Sequence, residues 1–592
     1  MSTANGGTTP SLDDRIAAWL AQDPDPVTRA ELEALVARRR DGDAAAIDEL
    51  EHRFSGRLAF GTAGLRAELG AGPMRMNRVV VAQAAAGLAA YLWKAAGRAA
   101  VDAAPASAAE PGWSRLPTPS VVIGYDGRHN SEVFARDSAT IMAGAGVDVR
   151  LLPVAGPTPV LAFAVRHFGT SAGVMVTASH NPPRDNGYKV YLGDADGGAQ
   201  IVPPADAGIA AEIAEVATRP ITELPRSTDF RVEDREVFDA YVEATAAVVG
   251  AAPAPERASA ATETKGVEPD AARPELRVVY TAMHGVGLDT ARAVFARAGL
   301  PAFIPVALQA EPDPDFPTVA FPNPEEPGAL DLAFATARQA DADLIVANDP
   351  DADRLAVAVP DAARPEGWRR LTGNEVGLLL GWAAAEEHAS RDAGAPRVLA
   401  NSLVSSPALG RIAAHFGLEH VETLTGFKWI GRVPDLLYGY EEALGYLVDP
   451  AKVRDKDGIS AAARFVDIAR AWRANGWSVD DCLGWIAAQI GGAASGQVSI
   501  RVTDLDDIAR MTARLRAEPP TELAGRAVAR ASDYLEPGSP FPGNDILRYD
   551  LDDGARVIVR PSGTEPKLKV YLDADTPAAV AELETAVRAL LA

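Results

Sequence analysis

Val174-Met175-Val176-Thr177-Ala178-Ser179-His180-Asn181-Pro182 is the stretch on which the reading of this chain turns. Met175 and Val176 belong to an apolar run of buried-strand type, and Asn181, Pro182 and Pro183 stop regular structure and throw the chain into a turn. The expectation is a serine hydroxyl at the tip of that turn, exposed to a cleft rather than capping a helix, with the His180 imidazole and the Asn181 amide beside it. Taken alone, the run also fits an ordinary turn serine. A second stretch changes the balance.

Asp349-Pro350-Asp351-Ala352-Asp353-Arg354 follows the strand-like run Leu344-Ile345-Val346-Ala347. Carboxylates at alternate positions of an irregular loop can converge on one hard cation, and with no His or Cys nearby the donors suit Mg²⁺ better than zinc. A solvated acidic turn is the plainer alternative, but directly after a buried strand it is costly without a compensating cation. Arg354 beside the carboxylates points to a phosphoryl group as well. Near the C-terminus, Arg560-Pro561-Ser562-Gly563-Thr564-Glu565-Pro566 stands between two strand-like runs. Its backbone N–H groups, two hydroxyls and guanidinium make an anion cradle, although a tight turn would also use Gly563. Thr425-Gly426-Phe427-Lys428 and Tyr438-Gly439-Tyr440-Glu441-Glu442-Ala443-Leu444-Gly445-Tyr446 offer paired carboxylates for sugar hydroxyls, flanked by rings that can cover a sugar face. A surface loop with a buried aromatic is the alternative for each.

Nucleophile, acidic loop, carboxylate loop and anion cradle, in that chain order, resemble the α-D-phosphohexomutase superfamily. Further matches are Phe60-Gly61-Thr62-Ala63-Gly64-Leu65-Arg66, Gly124-Tyr125-Asp126-Gly127-Arg128, Asn186-Gly187-Tyr188-Lys189 and Tyr280-Thr281-Ala282-Met283-His284-Gly285. The first of these, Phe321-Pro322-Asn323-Pro324-Glu325-Glu326 and the Glu-Glu-Ala loop look closest to the branch holding phosphoglucomutase-2 and phosphopentomutase-type enzymes.

The resemblance implies that Ser179 carries the transferred phosphoryl group and that Asp349, Asp351 and Asp353, with the phosphorylated Ser179, hold Mg²⁺. It implies that Arg354, Thr425, Gly426, Lys428, Glu441, Glu442 and Lys456 meet the substrate, and that Arg560, Ser562, Gly563 and Thr564 grip its non-reacting phosphate. Arg66 and Lys189 are placed beside the phosphoserine, with Lys189 the better general base; Lys456 is a second candidate, and His180 orients its neighbours. Where many members continue the sugar loop with Ser-Gly-His, this chain has Ala443-Leu444-Gly445-Tyr446, so a proton role for that His does not transfer.

The implied activity interconverts hexose 1-phosphate and hexose 6-phosphate through a phosphoserine enzyme and a sugar 1,6-bisphosphate, the latter also expected as activator. Glucose ranks first as the sugar, then mannose, then ribose or deoxyribose. A sugar phosphatase and a non-catalytic sugar-phosphate sensor are the rival readings.

The implied fold class is α/β: three related α/β domains plus a smaller C-terminal α+β domain around a central cleft. Length agrees, since 592 residues correspond to about four domains. The expected borders are a helical extension over residues 1–55, domains over 56–225, 226–360 and 361–491, and a last domain over 492–592. Residues 99–119 and 251–275, rich in Ala, Pro and charge, read as inserted disordered loops without a motif.

Composition bounds the partners. A net charge of −24, from 81 acidic and 57 basic residues, argues against nucleic acid, so phosphate affinity must come from local clusters. The sequence shows no apolar run approaching the roughly 20 residues of a membrane span, and Met1 to Pro10 lack the pattern of a secretory signal. The single Cys482 forms no internal disulfide, which fits a reducing, cytoplasmic setting. No interface signal for an oligomeric state is present.

Overall fold

The computed structural model describes residues 10–102, 117–250, 275–389, 397–502, 504–561 and 567–591. Most of the two segments read as disordered inserts, and Ser562, Gly563 and Thr564 of the anion cradle, lie outside the described residues. The chain forms two compact units: residues up to 250, 275–370 and 449–464 in the first, 371–448 and 465 onward in the second.

The first unit contains two sheets. One runs, in spatial order, Leu65–Glu68, Asp185–Leu192, Ala172–Val176, Ser120–Tyr125, Asp148–Leu151 and Arg231–Val232. The other runs Trp368–Arg370, Ala356–Pro360, Leu344–Ala347, Val278–Thr281 and Ile304–Pro305. In the second unit Glu419–Thr423, Val398–Ser402, Leu436–Glu441 and Gly445–Leu447 form a third sheet. The fourth is antiparallel throughout, ordered Ala494–Arg501, Lys567–Ala574, Arg556–Pro561, Leu547–Leu551, Arg526–Asp533 and Glu522–Leu523.

The first three sheets share a plan. Each has parallel central strands, and in each the last of these turns straight back into an antiparallel neighbour: Ala172–Val176 into Asp185–Leu192, Leu344–Ala347 into Ala356–Pro360, and Leu436–Glu441 into Gly445–Leu447. The central strands are buried on both faces and carry continuous runs such as Ala-Gly-Val-Met-Val and Leu-Ile-Val-Ala, as parallel strands covered by helices require. The serine, the aspartates and the paired glutamates therefore occupy the same topological position, at the carboxyl end of a parallel strand, where α/β sheets bind ligands.

Three helices, Leu12–Gln22, Pro26–Arg40 and Ala44–Arg53, precede the first sheet, and Ser11, Asp25 and Asp43 cap their N-termini with side-chain oxygens. Their apolar stripes, with Ile16, Trp19, Leu32, Leu50 and Phe54, enter the same core as Val79, Leu88, Val121, Phe134 and Val174. One expectation is corrected here. Among the described residues one helix, Arg78–Gly97, is long and apolar enough to cross a membrane by length and composition. Its apolar surface is used inside the fold, because the helix packs between Ser131–Gly144 and Ala205–Val216 and buries Val79, Val81, Ala85, Leu88 and Leu92.

Candidate active site

The strand Ala172–Val176 delivers the chain into a turn in which Ser179 takes a left-handed conformation, φ 54°. The Thr177 hydroxyl accepts from Ser179 N at 2.8 Å. Arg128 fixes the rest of the loop from below: its two terminal nitrogens donate to four carbonyls, those of Ser179 (2.7 Å), Asn181 (2.5 Å), Pro182 (2.8 Å) and Asp185 (3.1 Å). Asp126 stands 3.5 Å from Arg128 Nε, and both residues are buried. The expected exposure of the serine is not found. Ser179 is 2% exposed, because its hydroxyl turns inward to donate to Asp349 Oδ2 at 3.0 Å, with His180 Nδ1 3.2 Å away. Arg66 reaches the same loop through Asn181 Oδ1 at 3.0 Å.

Asp349, Asp351 and Asp353 have no exposed surface, and one oxygen from each lies within 4.8 Å of the others. Alternation in the loop, with Ala352 in a left-handed conformation, is what turns the three carboxylates inward together. Two neighbours leave the loop no room to move. A Cβ on Gly285 would fall 2.3 Å from the Pro350 Cα, and one on Gly458 would fall 2.2 Å from the Arg354 carbonyl oxygen. Thr158, from the first domain, binds Asp351 twice: N–H to its carbonyl at 2.9 Å and hydroxyl to Oδ2 at 2.7 Å.

Lys189 Nζ lies 2.7 Å from Asp351 Oδ2 and 2.8 Å from Asp353 Oδ2, and Lys456 Nζ lies 2.8 Å from Asp353 Oδ2. Arg354 Nε stands 3.9 Å from both Asp349 and Asp353. These charges set the protonation states. Burial, then the charges of Asp351 and Asp353, push Asp349 well above the ordinary carboxylate range. Burial also opposes ionisation of Asp353, yet Lys189, Lys456 and Arg354 hold it below that range. Burial works against the charge on Lys189 and Lys456, but the adjacent aspartates more than offset it and raise both. Burial, then Arg354 and Arg66, push His180 well below its usual value, so the imidazole is neutral.

Among these oxygens, Oδ1 of Asp351 and Oδ1 of Asp353 are buried without a hydrogen-bond partner. Three converging carboxylates with unfilled oxygens and no soft donor suit a hard divalent cation such as Mg²⁺.

In the second unit Glu441 pairs with Gly445, so residues 442–444 form the connection, with Leu444 left-handed. Glu441 Oε1 accepts from Gly426 N, which joins the Thr425-Gly426-Phe427-Lys428 segment to the carboxylate loop. Glu442 Oε2 accepts from the Ser405 hydroxyl at 2.8 Å and the Ser402 hydroxyl at 3.1 Å. The aromatic residues do not cover this loop as expected. Tyr438, Tyr440 and Tyr446 are fully buried; Tyr440 and Tyr446 are cross-strand partners with near-parallel rings 6.5 Å apart, and the Tyr446 hydroxyl donates to the Gly373 carbonyl. The pleat decides this, since residues two apart share a face and this face meets the helix Gly373–Ala389. Arg560 sits on the hairpin strand Arg556–Pro561, opposite Lys569, next to the cradle residues outside the described set.

Two residues holding the site, Arg128 and Thr158, had no role assigned from sequence. The first lies in a quoted motif; the second has no local signal, because its partner is 193 positions away.

Fold and site together define a class: three α/β sheets and one antiparallel sheet, with a serine set on a buried aspartate triad, are those of a phosphosugar mutase. Descriptions of the phosphoglucomutase/phosphomannomutase family match in order: alpha/beta/alpha domain I over residues 57–220, domain II over 239–362, domain III over 372–483 and the C-terminal domain over 498–590. A probable phosphomannomutase of Haemophilus influenzae is 51% identical over 88% of this chain and 98% of its own. The human phosphopentomutase is 33% identical over 96% and 92%, and a Staphylococcus aureus phosphoglucomutase 30% identical over 88% and 91%. The crystal structure of a phosphoglucomutase/phosphomannomutase family protein from Burkholderia thailandensis superposes with a TM-score of 0.64, at 19% identity, over 90% of this chain and 97% of that one. The chain belongs to the phosphoglucomutase/phosphomannomutase family, whose members are isomerases acting on phosphosugars.

Proposed function

We propose that this enzyme interconverts hexose 1-phosphate and hexose 6-phosphate, with glucose the first sugar, through phosphorylated Ser179. The observation that carries the reading is the Ser179 hydroxyl 3.0 Å from Asp349, inside a triad with unfilled buried oxygens. Asp349, Asp351 and Asp353 would hold Mg²⁺, which when bound would supply neutralisation of charge on the phosphoryl oxygens.

The remaining work is positioning, which dominates phosphoryl transfer. Arg66 and Arg354 frame the phosphoryl group on Ser179, while Arg560, Ser562, Gly563 and Thr564 grip the substrate's other phosphate. Glu441 and Glu442, oriented by Gly426, Ser402 and Ser405, read the sugar hydroxyls, with Thr425, Lys428 and Lys456 as further contacts. Transfer from Ser179 yields a sugar 1,6-bisphosphate, which turns end for end and returns its other phosphate to the serine. Trace bisphosphate would thus serve as activator.

Lys189 is proposed to carry the proton. Lys189, whose Nζ lies 2.7 Å from Asp351 Oδ2 and 2.8 Å from Asp353 Oδ2, is the proposed general base. His180 orients Ser179. A pH–rate profile unchanged by Lys189→Ala removes this assignment. The domain borders 56–225, 226–360, 361–491 and 492–592 are part of the same reading, supported by the four separate sheets. A cytoplasmic setting belongs to it too.

The relatives' names divide among mannose, pentose and glucose, so the test runs these sugars side by side. Phosphorus NMR of the protein with Mg²⁺, trace sugar bisphosphate and glucose, mannose or ribose 1-phosphate in turn should show conversion to the 6- or 5-phosphate, fastest for glucose. Free phosphate alone leaves the phosphatase reading, and no turnover at all leaves the sensor.

A further inference from the structure

Phe321-Pro322-Asn323-Pro324-Glu325-Glu326 has no part in the chemistry above. The segment leading into it crosses from the second domain onto the support of the serine loop. Pro312 packs against Gly127, where a Cβ would come within 3.0 Å of it. Asp315 Oδ1 lies 2.8 Å from His129 Nε2, and the Arg128 guanidinium sits over the Phe316 ring, 4.9 Å from its centroid. Thr318 is tied to His284 Nε2 at 2.8 Å. The segment ends with the Phe321 ring edge-on to His180, centroids 6.0 Å apart and planes at 80°.

A short turn over residues 322–325 holds Phe321 in place. Asn323 N donates back to the Phe321 carbonyl at 2.8 Å, Asn323 Oδ1 accepts from Glu325 N at 3.1 Å, and Pro322 and Pro324 stiffen the turn. Phe321 and His180 are both half-buried, whereas Ser179 beneath them is almost completely buried. The Phe321 ring thus abuts the imidazole whose Nδ1 lies 3.2 Å from Ser179 Oγ.

We infer that Phe321 is a positioning residue that fixes the His180 ring against Ser179 and keeps water from the phosphoserine, so that it sets the ratio of transfer to hydrolysis. The side reaction it suppresses is simple. A water oxygen bonds to phosphorus, the bond from phosphorus to Ser179 Oγ breaks, one water proton ends on the serine oxygen, and inorganic phosphate leaves. The inference rests on the mutase reading.

The test tracks isomerised sugar phosphate and free phosphate together, by phosphorus NMR, in the full-length enzyme with Mg²⁺, trace sugar bisphosphate and whichever of glucose, mannose or ribose 1-phosphate the unaltered enzyme isomerises fastest. Phe321→Ala should raise the ratio of free phosphate to isomerised product about tenfold, with Phe321→Leu between it and the unaltered enzyme, because partial bulk excludes water partially. If Phe321→Ala does not fold, Phe321→Leu and Phe321→Val carry the comparison, with Val above Leu. A ring with a merely structural role would lower both products in proportion, and a constant ratio across folded variants overturns the inference. An unaltered enzyme that isomerises no sugar overturns the mutase reading, and the inference falls with it.

Discussion

Arg128→Met removes the largest single support of the serine loop while keeping the length of the side chain. All four terminal N–H bonds of Arg128 end on carbonyls of residues 179–185, at 2.5 to 3.1 Å, and Asp126 lies 3.5 Å from its Nε. With Arg128 5% and Asp126 2% exposed, the substitution takes the cation away from a buried carboxylate, which keeps the N–H of residue 128 and the Ser131 hydroxyl, and leaves one buried and three part-buried carbonyls without their donor. Breaking one side of a buried pair costs about 3–5 kcal/mol. Summing four further hydrogen bonds would overshoot, since a freed loop can move its carbonyls to water. The expected loss is therefore about 3–5 kcal/mol in the transition that unfolds the first unit. Asp126→Asn in the same chain should recover part of it, because the stranded charge is gone. Transfer should fall about 100-fold, the penalty for misplacing a reacting group by about 1 Å. Chemical denaturation and phosphorus NMR turnover read the two quantities. Stability within about 1 kcal/mol of the unaltered protein, with turnover within about threefold, would refute the clamp.

Thr158→Val should weaken Mg²⁺ binding about tenfold by titration calorimetry, while Thr158→Ser leaves it near the original, because the hydroxyl orients Asp351; equal affinity in all three contradicts this. The lowered His180 pKa means that below pH 6.5 the folded protein binds fewer protons at this ring than the unfolded chain. Stability from this group is complete above pH 6.5 and is lost as pH falls below it, so His180→Asn should flatten the acid side of the stability profile below pH 6.5. Cys482 is 1% exposed and burial pushes its thiol up to about 12, so a thiol reagent at pH 8 should label the native protein negligibly and the denatured protein once.

What could be read from sequence was contiguous. The strand before Ser179, the turn after it and the alternating aspartates each depend on residues next to one another, and the structure places them as the local chemistry suggested. The parts that escaped depend on distance in the chain or on which face of a strand a residue occupies. Arg128 and Thr158 act across 51 and 193 positions, and nothing near either names its partner. Tyr438 and Tyr440 read as rings flanking the paired carboxylates of a loop, yet their spacing of two is what puts them together on the buried face. The burial of Ser179 was equally hidden, since it comes from Asp349, 170 positions away, rather than from the turn. The packing of residues 449–464 in the first unit obeys the same rule. Asp455 accepts from Tyr191 and Asp457 from Tyr241, both at 2.8 Å, and these buried bonds carry Lys456 to Asp353.

The central claim is that Ser179 carries the transferred phosphoryl group. Intact-mass and peptide mass spectrometry of the purified protein, after incubation with Mg²⁺ and glucose 1,6-bisphosphate, tests it most directly. The account predicts one phosphoryl group, on Ser179, lost on adding excess glucose 1-phosphate and never acquired by Ser179→Ala. A phosphoryl group on another residue, or turnover that persists in Ser179→Ala, contradicts it.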